Sequence, residues 1–62
     1  MKFCEFTEAA PDDPAVVVNP MLVRLIRSHG DNTEIVLDAD LLIIVSDSLD
    51  VVLRRLEQVM SD

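Results

Sequence analysis

The chain has no tryptophan and no tyrosine, and only one glycine, one cysteine and one histidine. Each scarcity excludes something. A single cysteine rules out a disulfide within the chain. A single glycine excludes a glycine-rich phosphate cradle. One histidine and one cysteine do not make a metal cluster, so no metal and no cofactor are expected. Basic residues are also few. Five Lys or Arg stand against twelve Asp or Glu, a net charge of −7. Phosphate backbones and anionic membranes are bound by basic surfaces, so neither nucleic acid nor a membrane is an expected partner. No long hydrophobic run is present. Leu41 to Val45 is far too short to span a bilayer. Acids after Met1-Lys2, in Phe3-Cys4-Glu5-Phe6-Thr7-Glu8, interrupt any signal-peptide core. A soluble cytoplasmic protein is expected, and one free thiol agrees with a reducing compartment.

What the chain does have is aliphatic bulk. Half of its 62 residues are hydrophobic, and only Phe3 and Phe6 are aromatic. That length makes one domain, residues 1–62. A domain so small buries about 60% of the surface its unfolded chain exposes, and usually needs a disulfide, a metal or a partner. With the first two set aside, self-association or docking on another protein is expected. The acids have a simpler role as well, keeping an apolar protein in solution.

Thr33 to Met60 is the most legible segment. Glu34-Ile35-Val36-Leu37 reads as a strand and Asp38-Ala39-Asp40 as a turn. Leu41-Leu42-Ile43-Ile44-Val45 is a second strand with no polar alternation, which predicts burial on both faces or a covering partner. Leu49, Val52, Leu53, Leu56, Val59 and Met60 recur at steps of three and four, so they share one face of a helix from about Ser48 to Met60. Ser46 or Ser48 caps it, and Asp50 pairs with Arg54 one turn on. Upstream, Lys2 to Thr7 reads as a strand with Cys4 and Phe6 on one side. Pro11-Asp12-Asp13-Pro14 breaks it, and Val16-Val17-Val18 resumes as the other arm of a long-looped hairpin. Pro20 to Ser28 supports two readings. Asn19 at a cap, Pro20 at the first position and Gly30 beyond the end signal a helix. A single turn followed by a strand from Val23 to Arg27, and a turn over Ser28 to Asn32, is the other.

Chemistry has few candidates. Cys4 and His29 are the only possible nucleophile and base, and nothing in the sequence brings them together. Asp38 and Asp40 have calcium-loop spacing, but Leu41 to Val45 supplies no further oxygen ligands. Neither a catalytic residue nor a small-molecule substrate is expected. Arg24, Arg27, Arg54 and Arg55 form two small basic clusters, suited to local charge balance or to contact with acids of a partner.

Several short motifs lie in a telling order. These are Phe6-Thr7, Val16-Val17-Val18-Asn19-Pro20, Leu22-Val23, Thr33-Glu34-Ile35-Val36-Leu37, Ile43-Ile44-Val45, then Asp47-Ser48 followed by Val51-Val52 and Arg55. In this order the chain resembles the small FlbD-type family associated with bacterial flagella and swarming, and Thr33 to Ser48 fits without a gap. It departs from the family pattern at Ala39-Asp40-Leu41, where the family carries Asn-Gly and Lys, and in its longer loop from Glu8 to Ala15. The resemblance implies the turn-plus-strand reading after Asn19 and a link to motility. The expected fold is a small, mostly antiparallel sheet with one C-terminal amphipathic helix on one face, an α+β domain. Its expected core is Phe3, Phe6, Val18, Leu25, Ile35, Leu37, Ile43, Val45, Leu49, Val52, Leu53 and Leu56. The expected function is a non-enzymatic, self-associating interaction or regulatory module. The alternative is an accessory subunit or adaptor that folds on an unrelated protein. Leu41, Leu42, Ile44, Arg24, Arg27, Arg54 and Arg55 are the candidate interface.

Overall fold

A computed structural model of the protein describes residues 2–38 and 41–61. Strands β1 (Cys4–Thr7) and β2 (Ala15–Val18) come first, then a 3-10 turn (Pro20–Leu22). Strands β3 (Leu25–His29), β4 (Asn32–Asp38) and β5 (Leu41–Val45) follow, and helix α1 (Leu49–Ser61) ends the series. The mixed α+β fold expected from the sequence is what forms. β1 and β2 make one antiparallel sheet, and β3-β4-β5 make an antiparallel meander.

The hairpin of β1 and β2 pairs Cys4 with Val18 and Thr7 with Ala15. Its loop closes through the Glu8 N–H donating to the Pro14 carbonyl at 2.8 Å and the Asp13 N–H to the Ala10 carbonyl at 2.9 Å. Asp13 takes a φ of 45°, a left-handed conformation that aspartate tolerates better than most residues.

After β2 the turn-plus-strand reading holds. The Asn19 side chain accepts from the Met21 N–H at 3.0 Å and Pro20 opens the turn, so the helix-start signals are real. The helix stops after one turn because the Arg24 N–H donates to the Val36 carbonyl at 2.8 Å, which starts pairing with β4. That pairing runs to His29 opposite Asn32. The turn expected over Ser28 to Asn32 therefore shrinks to Gly30 and Asp31. Gly30 has a φ of 61°, and a positive φ at the first central position is what a type II′ hairpin uses. The turn expected at Asp38-Ala39-Asp40 falls largely outside the described residues.

Several contacts join the sheets, among them the Ala9 N–H donating to the Ile44 carbonyl at 2.8 Å. Glu8 bridges to Val45, and the Ser46 N–H donates to the Thr7 carbonyl at 2.8 Å. β1 thus runs beside β5. Ser48 is the helix cap, its Oγ accepting from the Val51 N–H at 3.4 Å, while the Ser46 hydroxyl bonds the Thr7 carbonyl instead.

Cys4, Phe6, Val18, Ile35, Val45, Val52 and Leu56 form the buried core, with Val16, Val23, Ile26, Leu37, Ile43 and Val59 packed against it. Four expected core residues are corrected: Phe3, Leu25, Leu49 and Leu53 are all exposed. Phe3 precedes Cys4 by one residue, so strand alternation points it away from the side that Cys4 and Phe6 bury. Leu25 shares a strand face with Arg27, away from the helix. α1 lies on the sheets along a narrow line through Val52, Leu56 and Val59. Leu49 and Leu53 sit on its flank, beyond what these short strands can cover. The uniformly apolar β5 is not buried on both faces along its length; burial rises toward its C-terminal end. Val45 is fully buried, but Leu41 and Leu42 are exposed.

Candidate docking face

The meander has two faces, and register decides which residues occupy each. Ile26, Ile35 and Ile43 stand opposite one another and face the core. Alternation sends their neighbours outward. Leu25, Val36 and Leu42 then form one row across the three strands, and Arg27, Glu34 and Ile44 form the next. Leu25 is 47% exposed and Leu42 50%, while Val36 and Ile44 are half-buried.

One ion pair sits in the middle of this apolar face. Arg27 grips Glu34 Oε2 through Nε at 3.0 Å and Nη2 at 2.5 Å. His29 Nδ1 stands 4.0 Å from Glu34 Oε1. Glu34 is largely covered, and its charge is answered within the face. Both guanidinium donors converge on one carboxylate oxygen, a charge-assisted contact that orients the two side chains toward each other.

The candidate interface residues are therefore divided among three places. Leu42, Ile44 and Arg27 share the outer sheet face. Leu41 and Arg24 line a groove at the 3-10 turn with Met21, Leu22, Val23, Leu37 and Asp38. Arg54 and Arg55 belong to α1, and the chain itself engages both. Arg54 pairs with Asp50, its neighbour one turn back. Arg55 donates to the Glu5 carbonyl at 3.1 Å, lies 3.5 Å from Asp47 Oδ1 and stacks 5.6 Å from the Phe6 ring centroid. Leu25, Val36 and Glu34 complete the outer face. The one signal for them was Arg27, two residues from Leu25 on a strand, which marks that side as solvent-facing.

The groups with reactive potential lie apart. Cys4 is buried in the core, and its thiol donates to the Arg55 carbonyl at 3.7 Å. Burial pushes that thiol above its ordinary pKa, with Arg55 opposing weakly, so it carries little thiolate. His29 lies exposed at the far hairpin. Among the described residues, no cluster of His, Cys, Asp and Glu is arranged to hold a metal ion. No described helix is long and apolar enough to cross a membrane. Comparisons with protein-family models, curated proteins and solved structures found no match to this chain.

Proposed function

We propose that the protein is a non-enzymatic interaction module of the cytoplasm that works as a self-associated species. One observation carries this reading: the outer face of β3-β4-β5 leaves a row of aliphatic side chains in water on a chain of 62 residues. A row of exposed aliphatics on a domain this small is a candidate seat for a partner chain. The buried, poorly ionised Cys4 and its distance along the fold from His29 support a role without covalent chemistry. The resemblance carried by Val16 to Pro20, Thr33 to Leu37 and Asp47-Ser48 supports a place in flagellar or swarming motility.

Light scattering on sized fractions across the micromolar range tests the reading, alongside a pull-down. The expected result is a mass above 6.9 kDa that rises with concentration. A monodisperse monomer with a cooperative melt overturns self-association and leaves the adaptor reading, in which an unrelated protein covers the face.

A further inference from the structure

The apolar face has an electrical peculiarity. The chain carries twelve carboxylates and a net charge of −7, so two copies repel each other over most of their surfaces. Among the described carboxylates, Glu34 alone lies at the centre of the outer sheet face, and Arg27 neutralises it there. The middle of the face is a charge-balanced, apolar island on an acidic molecule. A basic partner would be drawn to the acids elsewhere, whereas a second acidic copy meets least opposition here.

Resting on the self-association proposed above, we infer that its contact is the outer face of β3-β4-β5, laid against the same face of a second copy around Leu25, Val36, Leu42 and Ile44. Such a contact is isologous, so each Arg27–Glu34 pair meets a surface of zero net charge rather than an unpaired ion. The sheet edge is a poorer route. β3 carries Arg27 and is preceded by Arg24, and charged side chains on an edge strand oppose edge-to-edge pairing. Three strands of this length present a face of roughly 240 Å² in projection. A standard interface takes about 800 Å² from each partner, so this dimer is weak and exchanges with monomer.

Sedimentation equilibrium on the full chain tests the contact with three proteins: parent, Leu42→Lys and Leu53→Lys. Leu42→Lys puts a charge into the proposed contact, and Leu53→Lys puts the same charge on the exposed helix flank. The expected result is a parent dimer weakened at least tenfold by Leu42→Lys and unchanged by Leu53→Lys, with the parent's circular dichroism kept in both. Raising salt from about 20 mM to about 0.5 M should strengthen the parent dimer, because screening removes the repulsion between acidic copies. If Leu42→Lys unfolds, Leu25→Lys probes the same row. A dimer that survives both row variants, or one that salt dissociates, overturns the face and leaves self-association standing. A parent that stays monomeric at every concentration overturns both.

Discussion

Among single residues, Leu53 and Leu56 make the sharpest contrast. They have the same side chain, three positions apart on α1, yet Leu56 is buried and Leu53 is 47% exposed. Leu56→Ala should cost about 2–5 kcal/mol by opening a cavity among packed aliphatics. In a domain this small that is most of the total stability, so the variant should be largely unfolded at room temperature. Leu53→Ala should cost about 1 kcal/mol or less, because water already reaches the side chain. Paired thermal melts check this, and equal losses would mean that α1 is rolled differently on the sheets. Helical spacing gave both leucines the same standing. What separated them was the width of the sheet beneath, which no local pattern encodes. Cys4 offers a second test. Its folded pKa is raised, so the native state holds the thiol proton more tightly than the unfolded chain does. The associated stability is complete below the unfolded thiol's pKa and is lost as pH rises through the folded value. The melting temperature should therefore drop on the alkaline side of the ordinary thiol range, and Cys4→Val should remove that drop. Cys4→Val should also leave association unchanged.

At the level of elements, the corner between β5 and α1 bears more than a connection. Asp47 Oδ2 accepts from the Thr7 N–H at 3.2 Å, Oδ1 faces Arg55, and the Asp47 carbonyl accepts from the buried Thr33 hydroxyl at 2.8 Å. One residue thus ties β1, β4 and α1 together. Hydrogen bonds to a charged group are worth about 1.5–3 kcal/mol, so Asp47→Ala should destabilise by roughly that much. Asp50→Ala, which removes an exposed helix pair, should cost no more than about 0.5 kcal/mol. Denaturant titrations of the two variants check the ranking. Much of the element series was legible because its signals were local: alternation in β1, the proline break, the apolar run of β5, and the helical spacing after Ser48. The segment after Asn19 was ambiguous because its cap and proline truly start a helix. Only the Arg24–Val36 hydrogen bond, made across the meander, says where that helix must stop. The docking face was legible by half for a related reason. Leu42, Ile44 and Arg27 stand out by composition, whereas Leu25, Val36 and Glu34 join them only once the register of three strands is known.

For the molecule as a whole, the contacts divide by their separation along the chain. The β3-β4-β5 meander is built from neighbours in sequence, joined at Gly30-Asp31 by a tight turn. The join between the two sheets is not. The Thr7 carbonyl waits for the Ser46 N–H, and the Thr7 N–H for Asp47, with separations of 39 and 40 residues. Closing a loop of that size costs entropy before any contact repays it, and the cost grows with the logarithm of the loop's length. Docking of β1 onto β5 is therefore expected to follow pairing within the meander. β1 pairs locally with β2, but it can join the meander only once β5 and the start of α1 are in place. The meander has all its strands together sooner and forms from short-range pairings, the kind that assemble fastest. Cys4 and Phe6, both on β1, should reach full burial in the core only when that long-range join closes.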